Sequence, residues 1–264
     1  MQENTLLYQK ILSKLPQDLF DIPLHVFDSV TSTNDLLRAA AEQGAPEFTV
    51  YAAAQQTAGK GRQGRSFYSP PMTGLYLSIL FRPQLTAERV LMLTPMAAVA
   101  ASDAIEQVTG IHVSIKWVND LLLHGRKICG ILTESSFSDG AVPDYAIVGI
   151  GINLLPPPDG FPAELRGIAG AVYPVHADAQ EAFTSVAAAL ISALIREYHG
   201  LPEKRFLASY RARLCMLNRT VTVCENGTER PAAAIAVDDD LRLLVRYEDG
   251  TEQWRSTGEI RIRV

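Results

Sequence analysis

The chain has 264 residues, 47% of them hydrophobic and 20% charged, and a formal net charge of −5. That length and apolar content suffice for one large domain, or for a domain of roughly 200 residues with a small partner, while the acidic balance argues against a broad electrostatic grip on nucleic acid. Three widely spaced cysteines without a C-x-x-C, and five scattered histidines, give no disulfide framework, zinc site or transition-metal site.

In chain order, Leu6, Leu7, Ile11, Leu12 and Leu15 share one helical face, which predicts a short packing helix ending before Pro16. The same N-terminal stretch has no apolar run of signal-peptide length, and nothing downstream approaches a membrane span, so a cytoplasmic protein is expected. LHVFDSV alternates as a strand. STNDLLRAAAEQG reads as a helix with Ser32 as N-cap, Asp35 three residues on and Gly44 past its end. FTVYAAAQQ predicts a strand, a glycine loop follows, and GLYLSILFRP (residues 74–83) predicts a strong strand. Thr94-Pro95 reads as the N-cap and first residue of a helix reaching about Val108.

VSIKW and ICGILTESS are expected as strands around the turn HGRK, forming a hairpin, and YAIVGIGINL as a further strand stopped by PPPDGFP. Apolar residues from Phe183 to Tyr198 mark one face of a long helix over 179–199, and a second helix is expected over 202–214. The rhythm then changes to five short strand candidates, TVTVCE, PAAAIAVD, LRLLVRY, EQWRS and EIRIRV, separated by turns such as EDGTE. Closely spaced strands of this kind predict a small β-barrel of about fifty residues. The boundary falls near 215–218, dividing the chain into 1–215 and 216–264. Hairpin strands mixed with helices in the first part predict an α+β fold rather than a doubly wound sheet.

The stretch GKGRQGRS, residues 59–66, satisfies G-x-G-x-x-G and nearly matches a P-loop. Dinucleotide and P-loop motifs both need a helix opening at the last glycine, to hold the phosphate at its N-terminus. Here the continuation is SFYSPPMTG, whose prolines oppose a helix, and no kinase catalytic loop accompanies it. What remains is a cationic loop between two strands. Lys60, Arg62 and Arg65 could stabilise a phosphate or acyl-phosphate, and the loop could equally be a solvated turn.

QTAGKGRQGRSF, preceded by STN and followed in order by KWVND, GRKICGILTE and VGIGINL, resembles the biotin protein ligase family. With the β-rich C-terminal segment, the likeness covers nearly the whole chain from Ser29 onward. The resemblance implies a mixed, largely antiparallel sheet with flanking helices, like that of class II aminoacyl-tRNA synthetases, and a C-terminal SH3-like β-barrel. It implies a two-step ligase. Biotin and ATP give biotinyl-5'-AMP and pyrophosphate, with Mg2+, and a lysine of a biotin carboxyl carrier domain then takes the biotin.

By motif position, the resemblance assigns Ser32, Thr33, Asn34 and Gln56 to the biotin head group; neutral donors and acceptors suit a ureido ring, although Ser32-Thr33-Asn34 also reads as a plain helix cap. Lys60, Gly61 and Arg62 would close over the carboxylate and adenylate, with Lys127 beside the carboxylate and α-phosphate. Gly130, Gly149 and Gly151 would admit the ligand or merely serve sheet packing. The nucleotide set implied is Lys60, Arg62, Arg65, Phe67, Lys116, Asn119, Asn153, Glu259 and Arg263, with Asp120 on the Mg2+ side. Arg62, Lys116 and Lys127 are the implied catalytic cations, Lys116 being equally readable as a solvated strand lysine.

Three positions depart from the family pattern: Lys60 stands for an arginine, Phe67 for a tryptophan and Val118 for a proline. Since the STN block starts near residue 32, there is little chain ahead of it for a helix-turn-helix, so neither a repressor role nor nucleic-acid binding is expected. The resemblance leaves a homodimer open. Its rivals are a lipoate or octanoate ligase or transferase on the related fold, and a non-catalytic biotin sensor.

Overall fold

The computed structural model describes residues 2–138, 142–173, 175, 177–225, 228–256 and 259–262, with side chains at all of them but 88, 225, 259, 261 and 262. Helix α1 (Thr5–Leu12) is capped by Asn4, whose Oδ1 accepts from the Leu7 N–H at 2.8 Å, and it buries Leu7 and Ile11. Strand β1 (Leu24–Phe27) runs parallel to β2 (Val50–Ala53), and helix α2 (Thr33–Glu42) connects them. Ser32 is the N-cap of α2, as its sequence predicts, its hydroxyl accepting from Asp35 N.

Strand β3 (Gly74–Phe81) is buried along its whole length because both faces of the sheet are covered. Leu75, Leu77, Ile79 and Phe81 join the large core with helices α4 (Leu93–Thr109) and α5 (Ala179–His199), which follow a short α3 (Ala87–Val90) in the chain. Leu80, on the opposite face, packs with Leu37 and Ala41 of α2. Helix α4 opens earlier than expected. Met92 is its N-cap, Pro95 sits in the first turn where its missing N–H costs nothing, and the Thr94 hydroxyl meets Thr133 at 2.8 Å instead of capping. The helix ends at Gly110, whose φ of 70° is the left-handed C-terminal position that glycine favours.

The expected hairpin differs too. Strand β4 (Ser114–Lys116) pairs with an unforeseen strand β5 (Asp120–Leu123), and the turn HGRK joins β5 to β6 (Arg126–Ser136) rather than VSIKW to ICGILTESS. Four residues of DLLL were too few to stand out from the turn beside them. With β7 (Tyr145–Asn153) the sheet order is β1-β2-β3-β7-β6-β5-β4, antiparallel except for the first pair. Helix α6 (Phe206–Arg213) starts after a run of turn residues over 201–205, later than predicted.

The remaining strands, β8 (Thr220–Glu225), β9 (Thr228–Val237), β10 (Leu243–Tyr247), β11 (Glu252–Arg255) and β12 (Glu259–Ile262), form an antiparallel sheet in the order β11-β10-β9-β8-β12. Among the described residues no ladder joins β11 to β12. The two sheets meet around Trp117, whose Nε1 donates to Leu241 O at 2.9 Å. Arg211 on α6 reaches Val237 O at 2.9 Å, and Val221 and Val245 extend the same core into the second sheet.

Candidate active site

Register explains where the sheet opens. Ser78 of β3 lies opposite Gly149 of β7, which lies opposite Leu132 of β6; the next row is Tyr76, Gly151 and Gly130. Successive side chains on a strand alternate between faces, so these rows share the face covered by α2. Three glycines strip that face of side chains and leave an open cleft over it, lined by residues of α2, the glycine loop, β6 and β7. The room is already partly used. A Cβ on Gly151 would stand 2.7 Å from the Phe67 ring, one on Gly130 3.0 Å from it, and one on Gly149 would collide with Asn34 Oδ1.

The cleft floor is a connected set of neutral groups. The Thr33 N–H donates to Gln56 Oε1 at 2.8 Å and the Thr33 hydroxyl reaches the same oxygen at 3.1 Å. The Ser78 hydroxyl lies 2.7 Å from Thr33 Oγ1 and 2.6 Å from Asn34 Oδ1. Ser32, Thr33 and Asn34 are buried by the first turn of α2, so cap and cleft wall are one structure.

A second open cleft adjoins the first and reaches Trp117 and, from the C-terminal sheet, Ile260. Arg65, Lys116 and Asp120 line it alone, whereas Gly61, Arg62, Phe67, Asn119 and Lys127 line both. Lys60 lines only the first. Its cations rest on neighbours. Lys127 Nζ lies 2.6 Å from Asp120 Oδ1 and Lys116 Nζ 3.6 Å from Oδ2. Arg62 donates to Asn119 Oδ1 at 2.8 Å, and Lys60 pairs with Asp35 at 2.6 Å. The glycine loop is a folded turn, closed by Gly61 N to Arg65 O at 2.7 Å and Phe67 N to Gly59 O at 2.9 Å. Gln63 and Gly64 turn the chain with φ of 57° and 73°.

Asp120 Oδ1 is buried against Lys127 Nζ, an ion contact that satisfies no aligned hydrogen bond. Among the described residues no group of three or more His, Cys, Asp or Glu could hold a metal ion. One carboxylate therefore fits a Mg2+ only if a nucleotide brings phosphate oxygens to it. Cys129, adjacent in sequence, faces the large core on the other side of the sheet. Burial pushes its thiol up, against the smaller opposing pull of Lys127, so it offers no thiolate nucleophile. Asn153 lines neither cleft; its amide donates to Gly170 O at 3.0 Å. Arg263 and the side chain of Glu259 lie outside the described residues.

Comparison with known proteins agrees with this geometry. A sequence model of the Biotin/lipoate A/B protein ligase family matches residues 26–153. The Bifunctional ligase/repressor BirA of Bacillus subtilis is 34% identical over 231 residues, which span 86% of this chain and 70% of the relative. The Biotin--[acetyl-CoA-carboxylase] ligase of Paracoccus denitrificans is 32% identical over 213 residues, spanning 76% and 85%.

The chain belongs to the biotin protein ligase family. A solved biotin protein ligase from Aquifex aeolicus in complex with biotin and ATP superposes at a TM-score of 0.72 and 26% identity, covering 91% of this chain and 98% of the other. The mixed sheet and the C-terminal sheet of this ligase are thus those of the family.

Two further residues of this ligase's site received no role from the motifs, although Glu134 ends the GRKICGILTE block. Ser78 is a lone hydroxyl in an apolar strand, and Glu134 donates nothing to a cleft wall yet accepts from Asn34 Nδ2 at 2.7 Å. Arg38 holds the second Glu134 oxygen at 2.6 Å. The available signal was parity: Ser78 breaks an otherwise continuous apolar strand, and Glu134 sits two and four residues after Leu132 and Gly130 on the same face.

Proposed function

We propose that this ligase attaches biotin to a lysine of a biotin carboxyl carrier domain, using ATP. The observation that carries the reading is the pair of adjoining clefts, one floored by neutral hydrogen-bonding groups and one lined by cations, sharing Arg62, Phe67 and Lys127. The ureido ring of biotin suits the first, and the triphosphate of ATP suits the second. The Aquifex aeolicus relative, solved with biotin and ATP, supports both substrates.

In this reading the biotin carboxylate lies at the seam between the clefts. One of its oxygens attacks the α-phosphorus and the bond to the bridging oxygen of pyrophosphate breaks. Lys127 and Arg62 offset the charge on the carboxylate and α-phosphate, and Lys116 serves the same charge from the second cleft. Holding two anions in line in a preorganised cationic seam supplies most of what the reaction requires. Asp120, with nucleotide phosphate, would hold a Mg2+, whose chemistry is to screen the triphosphate. A carrier lysine amine then attacks the mixed anhydride carbonyl, loses its proton, and releases AMP. The relatives named for acetyl-CoA-carboxylase support that class of acceptor.

A lipoate-type activity fits less well, because a dithiolane ring offers no N–H or C=O to the Thr33–Gln56–Ser78 floor. The net charge of −5 supports a role without DNA binding, and no helix among the described residues is long and apolar enough to cross a membrane. With ATP, Mg2+, biotin and a carrier domain, the protein should add one biotin mass to a single carrier lysine. Transfer of lipoate in preference to biotin, or no transfer of either, would reject the reading.

A further inference from the structure

We infer that Glu134, assigned no role by the motifs, is a positioning residue that sets the hydrogen-bond polarity of the cleft floor through Asn34; the inference rests on the biotin reading of that cleft. Glu134 spans Asn34 Nδ2 at 2.7 Å and Arg38 Nη2 at 2.6 Å, one carboxylate oxygen to each. An ionised carboxylate can only accept, so the edge of the Asn34 amide facing it must be the NH2 group. That fixes Oδ1 on the other side, 2.6 Å from the Ser78 hydroxyl.

The consequence runs along the floor. With Asn34 Oδ1 as acceptor, the single Ser78 proton is drawn to Asn34. The opposite amide orientation would make Asn34 a donor to Ser78 and drive the Ser78 proton onto Thr33 Oγ1, 2.7 Å away. In the orientation that Glu134 selects, the Thr33 proton is the one left for the 2.7 Å contact, so it turns to Ser78 Oγ, while Gln56 Oε1, 3.1 Å away, keeps the Thr33 backbone N–H. Both Thr33 Oγ1 lone pairs then stay free, whereas the opposite orientation would commit one to the Ser78 proton and turn the Thr33 proton onto Gln56 Oε1. The floor then presents acceptors from Thr33, and Gln56, which lines the same cleft with its Oε1 committed to Thr33, has its amide N–H groups left as donors. A cyclic urea carries the complement, N–H groups and a carbonyl. Arg38 also pairs with Asp35, which binds Lys60, so the carboxylate is held in place from the helix side.

The test compares binding of biotin with binding of the two analogues in which a ring oxygen replaces one ureido N–H, by calorimetry on the full chain. The wild-type protein should favour biotin strongly. Glu134→Gln, which keeps the shape and removes the obligate acceptor, should narrow that preference about tenfold, the scale of exchanging a charged hydrogen bond for a neutral one, while ATP binding holds. Asn34→Ala should narrow it likewise, and adding Glu134→Gln to Asn34→Ala should change nothing further. A merely structural Glu134 would weaken biotin and its analogues alike. An unchanged preference in the variants, with wild-type biotin binding intact, overturns the inference alone; should Glu134→Gln fail to melt cooperatively, Asn34→Ala decides by the same criterion. Wild-type protein that does not bind biotin overturns the biotin reading and this inference together.

Discussion

The trough over Gly149 and the cationic cleft beside Lys116 share one face of the sheet but hold their polar groups in opposite ways. In the trough, Thr33, Asn34, Gln56 and Ser78 satisfy one another within a buried network set by the N-terminus of α2 and the register of β3 and β7. In the neighbouring cleft, Lys127 and Lys116 share Asp120, Lys127 also lies over the Phe67 ring, and Arg62 rests on Asn119, few partners from which an arriving anion can draw them. The difference follows from chemistry. A neutral ring is recognised by orientation, which a rigid network supplies in advance, whereas a phosphate is recognised by charge, which must be kept balanced until it arrives.

Three substitutions bear on that division, from the largest expected effect to the smallest. Lys127→Gln should lower the rate of biotin-dependent pyrophosphate release about a thousandfold, the upper scale for removing one preorganised electrostatic group. Biotin affinity should change far less, and a parallel loss of both in stopped-time assays would erase the distinction between the clefts. Gly149→Ala acts on the other side. Its Cβ collides with Asn34 Oδ1, and overpacking of about 2 kcal/mol corresponds to roughly thirtyfold weaker biotin binding by calorimetry. ATP binding should be unaffected, and equal weakening of both ligands would contradict the separation.

The smallest effect is expected at Lys60→Gln, which removes the pair with Asp35 and leaves Asp35 on Arg38. That pair is more than a third exposed on both sides, so its loss should shift unfolding free energy by less than about 0.5 kcal/mol. Denaturant titration would check this, and a drop of several times that size would mean that the latch is structural.

The legible parts of the molecule were those written in local patterns. Ser32 with Asp35 announced the start of α2 and the apolar run of β3 announced a strong strand, while Arg62, Lys116 and Lys127, which the family resemblance grouped, line one cleft. Local pattern failed where tertiary contacts decide. The start of α4 at Met92 rather than at Thr94 depends on the α3 turn before it, and β5 is a strand because β4 and β6 flank it. Ser78 and Glu134 were invisible for a related reason. Ser78 is a lone hydroxyl in an apolar strand and Glu134 one of several polar residues in β6, and the meaning of each comes from Asn34, distant in sequence and adjacent in space.

A neutral cleft and a cationic cleft meet at Lys127, and the most direct test of that arrangement is pyrophosphate formation with no carrier present. Mixing the protein with ATP, Mg2+ and biotin should release a burst of one pyrophosphate per chain and leave biotinyl-5'-AMP bound, with lipoate giving no burst. Pyrophosphate release that ignores biotin, or that lipoate triggers equally well, would contradict it.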